Sequence, residues 1–119
     1  MGFSQYQINC LITGTQFSAE IPSSSPELRH FVTIRGYKSH SMNDKYLKSE
    51  KIENMLFCIR DYEIENYLIE NHFDIHECEL INSFVIRNIK GIKNAEKELS
   101  KHISDFSLLV SNWKCSNPL

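Results

Sequence analysis

"MLFCIRDYEIENYLIEN", residues 55–71, decides the fold, because it reads two ways. Ile52, Met55, Leu56 and Ile59 recur at i, i+3, i+4 and i+7, which predicts an amphipathic helix over about residues 49–60. The run "MLFCI" also suits a buried strand, since it is short, continuous and apolar. Beyond it, Asp61 could cap a second helix carrying Ile64, Tyr67 and Leu68 on one face. Residues 49–78 therefore stay open between helix and strand.

The flanks are plainer. Upstream, "YQINCLI" alternates, with Tyr6, Ile8, Cys10 and Ile12 on one side and Gln7 and Asn9 on the other, the pattern of a half-buried strand. "TGTQ" at 13–16 turns the chain and "FSAEI" returns as a strand. Ser25, Pro26 and Glu27 look like a cap, a first-turn proline and a first-turn acid, so a short helical turn is expected there. "HFVTIRGY" follows as a strand ending near Gly36, and residues 37–45 carry loop chemistry. Downstream, "LINSFVIRNI" at 80–89 reads as a strand through its β-branched and aromatic content. Ile92, Ala95, Leu99, Ile103, Phe106, Val110 and Trp113 then repeat at three and four residues. That spacing predicts a C-terminal helix of about five turns, capped by Asn94 just after Gly91.

Strands first, a mixed middle and a terminal helix favour an α+β fold: a mainly antiparallel sheet packed against a long C-terminal amphipathic helix, with a second helix in the middle. The 119 residues are read as one domain, 1–119, and the aromatic and isoleucine content argues against disorder. No basic stretch followed by an apolar run opens the chain, and no apolar run is long enough to span a bilayer. The expectation is a cytoplasmic protein without membrane contact. Cys10, Cys58, Cys78 and Cys115 form no CxxC pair and are expected as reduced, packed thiols.

"HFDIHEC", residues 72–78, gathers two His, an Asp, a Glu and a Cys. On a strand His72, Asp74, His76 and Cys78 share a face, but His72 and His76 then lie roughly 13 Å apart, too far for one tetrahedral ion. The zinc pattern HExxH is absent, as are GxSxG and the phosphate-binding glycine loops. No metal and no cofactor is expected. His30, His40 and His102 stand isolated along the chain.

Charge is the strongest functional signal. Between Asp61 and Ile86 lie Asp61, Glu63, Glu65, Glu70, Asp74, Glu77 and Glu79, and no Lys or Arg. That interval carries −7 in a chain of net charge −2, so the remainder carries +5. Internal compensation between acidic and basic elements is one outcome. The other is an exposed acidic face that steers a basic partner, with Tyr62, Tyr67 and Phe73 as apolar anchors. The expected partner-binding set is Asp61, Tyr62, Glu63, Glu65, Tyr67, Glu70, Asp74, Glu77 and Glu79. The function expected from it is non-enzymatic: a protein that neutralises a basic protein partner, most concretely an immunity- or antitoxin-like inhibitor of a nuclease toxin, or a phage-type inhibitor. Two alternatives stand beside it. One is a small hydrolase or nuclease using a His/Asp pair around residues 72–76. The other is nucleic-acid binding through the basic stretch 29–60, which the near-neutral total charge disfavours. A homodimer through the C-terminal helix is compatible with each.

Overall fold

The computed structural model of the chain describes residues 2–37, 55–71 and 80–111. Its elements in chain order are helix α1 (Gln5–Ile12), strands β1 (Phe17–Ile21), β2 (Leu28–Tyr37) and β3 (Leu56–Glu65), helix α2 (Asn66–Glu70), strand β4 (Ile81–Lys90), helix α3 (Ile92–Leu99), a 3₁₀ turn at Phe106–Leu108 and strand β5 (Val110–Ser111). The strands form one antiparallel sheet in the order β4-β3-β2-β1-β5. The fold is α+β, as the order of elements implied. Among the described residues no helix is long and apolar enough to cross a membrane.

Residues 55–71 resolve in favour of a strand. The expected helix over 49–60 is corrected from Leu56 onward, where β3 runs between β2 and β4 and pairs with both. Residues 49–54 lie outside the described set. A strand with apolar cover on both faces reads as an unbroken apolar run, so helical spacing arose there by coincidence. Phe57 and Ile59 point to one face, Tyr62 and Ile64 to the other, and all four are buried. The chain then bends into the short α2.

One face carries the main core. Phe17 and Ala19 of β1, Val32 and Ile34 of β2, Phe57 and Ile59 of β3 and Ile89 of β4 pack there against Leu11 of α1 and Ala95 and Leu99 of α3. Phe3 stacks on Phe106 with ring centroids 4.9 Å apart, closing the layer. The opposite face holds a smaller cluster of Phe31, Tyr62 and Ile64, covered by Leu68, Ile69 and Leu80.

The stretch "YQINCLI" is a helix, not the expected strand. Ser4 caps α1: its hydroxyl accepts from the Gln7 amide at 3.1 Å while its own amide donates to Gln7 Oε1 at 2.9 Å. This reciprocal pair satisfies two orphan amides at the helix start. The buried side chains are Gln7 and Leu11, four apart, while Tyr6 is 66% exposed. Gln7 Nε2 also donates to the Phe106 carbonyl at 2.8 Å, tying α1 to the 3₁₀ turn.

The C-terminal helix is also corrected. It runs for two turns, starts from Gly91 at φ 83° rather than from Asn94, and ends at Leu99. Asn94 instead donates to the Lys90 carbonyl at 2.8 Å. Ser100 Oγ donates to the Lys97 carbonyl, the chain turns, and Ile103 and Phe106 reach the core through the turn and the 3₁₀ segment. The apolar spacing holds beyond Leu99 with a different backbone beneath it. Trp113 lies outside the described residues. The segment around Ser25 is a turn closed by the Leu28 amide on the Ser25 carbonyl at 3.1 Å, without a helix.

β4 departs from regular pairing twice. Its register against β3 shifts between Phe57 and Ile59 and again between Asp61 and Glu63. Asn82 and Asn88 sit there in the left-handed region, at φ 52° and 60°.

Candidate functional site

The acidic run does not present one face, and strand geometry is the reason. Alternation along β3 sends Asp61, Glu63 and Glu65 toward one side and Tyr62 toward the other. Tyr62 is 0% exposed, packed on Phe31 at 5.8 Å, so it is core and not a surface anchor. Glu63 is 4% exposed and Asp61 is half-buried. Glu65, Tyr67 and Glu70 are exposed. Asp74, Glu77 and Glu79 lie outside the described residues, as do His72 and His76 of "HFDIHEC", and His40.

The exposed members meet in one groove. Glu65 ends β3 directly opposite Leu28, and the Asn66 amide donates to the Glu27 carbonyl at 2.8 Å. This pins the start of α2 against the Ser25–Leu28 turn. The Asn66 side chain donates to Glu70 Oε1 at 2.9 Å, and Ser25 Oγ donates to Glu27 Oε2 at 2.6 Å. Between these elements opens a cavity of about 590 Å³ lined by Glu27, Glu65, Glu70, Tyr67, Leu28 and Ile81, among others. No Lys or Arg lines it among the described residues. Tyr67 is 53% exposed at its wall. Glu27 was not among the expected residues. It precedes the acidic run by more than thirty positions, and only the pairing of β2 with β3 brings it in.

A second cluster closes the sheet beside the core. Glu63 accepts from the Ser24 amide at 2.7 Å, from Ser24 Oγ at 2.9 and 3.0 Å, and from Asn82 Nδ2 at 2.8 Å. The Ser24 amide, then Asn82, hold its carboxyl below the usual carboxylate range against the opposing effect of burial, and His30 adds to the lowering. Asp61 lies between two imidazoles. One oxygen bonds His30 Nε2, and the other bonds His102 Nδ1 at 2.6 Å. His30 Nδ1 meets the Pro22 carbonyl at 3.2 Å, and the His102 ring lies 5.3 Å from that of Phe84. The two histidines are 31 and 41 positions from Asp61, so no local spacing could have joined them.

Among the described residues no three His, Cys, Asp or Glu side chains are grouped to hold a metal ion. Cys10 and Cys58 are free and half-buried. Comparison with protein-family models, with curated proteins and with solved structures found no match.

Proposed function

We propose that the protein is a binding protein that neutralises a basic protein partner by seating it on the groove of Glu27, Glu65 and Glu70. The observation that carries this reading is the convergence of three carboxylates and an exposed tyrosine on one cavity with no described cation in its walls. Carboxylates of this kind raise the encounter rate with a basic surface, and a half-exposed tyrosine supplies an anchor with few rotamers to freeze. The most concrete partner is a nuclease-type toxin, whose phosphate-binding site is basic. The protein would then act as an immunity- or antitoxin-like inhibitor.

The test uses the full chain as bait in lysate of the source cells, beside a Glu65→Lys, Glu70→Lys variant. A basic protein captured by the wild type, released at high salt and lost in the variant supports the reading. Its nuclease activity should be inhibited by the wild type alone. Equal capture by both proteins rules out the groove. Glu63 is not a suitable position for charge reversal, because a lysine there would be buried among donors.

A second reading, acid–base chemistry, is supported by the His102–Asp61 pair. A carboxylate on Nδ1 orients an imidazole for proton transfer at its other nitrogen. Loss of a hydrolytic activity in His102→Gln, with stability kept, would favour it. The expected His72, Asp74 and His76 set lies outside the described residues.

A further inference from the structure

His30 of β2 meets an acceptor at each of its two ring nitrogens. Nδ1 faces the Pro22 carbonyl at 3.2 Å, and Nε2 faces Asp61 Oδ1. The other Asp61 oxygen faces His102 Nδ1 at 2.6 Å. Strand alternation puts His30 on the side of Val32 and Asp61 on the side of Ile59, at the end of the main core face, and all three side chains are half-buried there. A neutral imidazole has one N–H, so it satisfies one acceptor and sets a lone pair against the other. His102 meets its contact as the neutral Nδ1–H tautomer. His30 cannot meet both of its own in that way. The three contacts together need one proton more than two neutral rings and an ionised carboxylate contain.

That proton sits on His30 as an imidazolium, or on Asp61 as an acid donating to Nε2; the count is the same in both forms. The surroundings compensate its charge. Glu63 stands directly opposite His30 in the β2–β3 register, and His30 contributes to the lowering of its carboxyl. On the other side of β2 the residue paired with His30 is the apolar Ile21 of β1. Asp61, Glu63 and, beyond Asp61, His102 are the titratable groups that face the ring among the described residues.

Loss of the proton to water unmakes one contact, and the acceptors select which. An N–H toward a carboxylate makes a charge-assisted bond, roughly twice as strong as one to a neutral carbonyl. The remaining proton therefore stays on Nε2, and the Nδ1 lone pair is left against the Pro22 oxygen. Pro22 opens the connection between β1 and β2. In that connection Ser24 holds Glu63, and Ser25, Pro26 and Glu27 wall the acidic groove. The connection is thus fastened at two points, each lost at its own end of the pH scale. The Ser24 hold weakens as pH falls through the lowered range of Glu63, and the Pro22 hold goes as pH rises.

From this geometry we infer that His30 is a proton-operated clasp on the groove wall: with the extra proton in place it fastens Pro22, and without it Nδ1 releases the connection. Any effect on partner capture rests on the groove reading, while the clasp is a property of the free protein.

NMR of the imidazole nitrogens and backbone amides of the full chain, carried upward from about pH 5 until the His30 signals stop changing, tests this. His30 Nδ1 should lose its proton and Nε2 should end with one. Neutral His102 should be the Nδ1–H tautomer. The amides of residues 23–25 and 27 should shift with the same midpoint as His30. His30→Gln, its fold checked by circular dichroism, should remove that amide response; if the variant does not fold, the wild-type midpoints decide alone. A neutral His30 that keeps its proton on Nδ1 overturns the clasp. So do amides that hold still while His30 titrates, or that respond equally in His30→Gln. No partner is present in the experiment, so failure here leaves the groove reading standing, and failure of that reading leaves this result standing.

Discussion

Glu63 illustrates how a buried carboxylate is kept charged. It has one backbone donor, one hydroxyl and one carboxamide, and its pKa is lowered accordingly. A group whose folded pKa lies below its unfolded value adds stability above the unfolded value and loses it as pH falls through the folded one. Glu63→Gln should therefore cost about 1–3 kcal/mol at pH 7, and the gap to wild type should narrow as pH drops below the ordinary carboxylate range. Urea unfolding at a series of pH values reads this directly; a gap independent of pH contradicts it. Asp105 acts in the same direction on the acid side, since its carboxylate accepts the Ser107 amide at 2.9 Å, though it is exposed and screened. The charge of the acidic run was legible in the sequence, but its division was not. Which acids are buried depends on strand parity, and parity has no meaning until residues 55–65 are known to be a strand.

At the scale of elements, two local signals compete in α1, and the weaker-looking one wins. Alternation in "YQINCLI" spoke for a strand, while Ser4 and Gln7 three residues on carried the reciprocal cap of a helix. Removing that cap by Ser4→Ala should cost about 1 kcal/mol, measured as a lowered urea midpoint with unchanged slope. Where α1 crosses β2, Gly36 leaves no room for a side chain. A Cβ there would lie 2.9 Å from Met55 Cε, 3.2 Å from the Leu11 carbonyl oxygen and 3.2 Å from the ring of Phe57. The methionine tip can move, while the carbonyl and the buried ring must each give by a few tenths of an ångström. Gly36→Ala should destabilise by about 1–3 kcal/mol; a stability equal to wild type would show that helix and strand separate freely. β1, β2 and β4 were legible from content and turn residues. β3 was obscured because it is covered on both sides, and α3 was overextended because a turn and a 3₁₀ segment keep the same apolar spacing as a helix.

At the scale of the whole molecule, the described residues form two clusters of single sign beside ion pairs such as Arg29 with Glu20. Glu27, Glu65 and Glu70 gather at one groove, and Arg35, Arg60 and Arg87 at one pocket. Exposed charges contribute little to stability, so Glu65→Lys with Glu70→Lys should shift unfolding by no more than about 0.5 kcal/mol for each substitution while changing partner capture. Thermal melts of the pair against wild type check this; a large loss would mean the groove holds the fold together. The joining of Asp61 to His30, and of Glu27 to Glu65, arises from the pairing of β2 with β3, and that of Asp61 to His102 from the turn after α3. Nothing periodic in the chain records such pairings, so the site could be read only from the assembled sheet.

The two irregular points of β4 have a consequence for the protein's behaviour in company with itself. β4 is ten residues long and the outermost strand on its side among those described, with Phe84 and Val85 exposed. A straight edge of that length would offer a ready template for other chains to stack on. Asn82 and Asn88, each turned into the left-handed region, kink that outline at both ends. Replacing both with valine removes the residue type best suited to the kinks. The expected result is a protein that scatters light and binds amyloid dyes at concentrations where the wild type stays clear. The two asparagines would then be guardians of solubility, placed where a sheet is most exposed to its own kind.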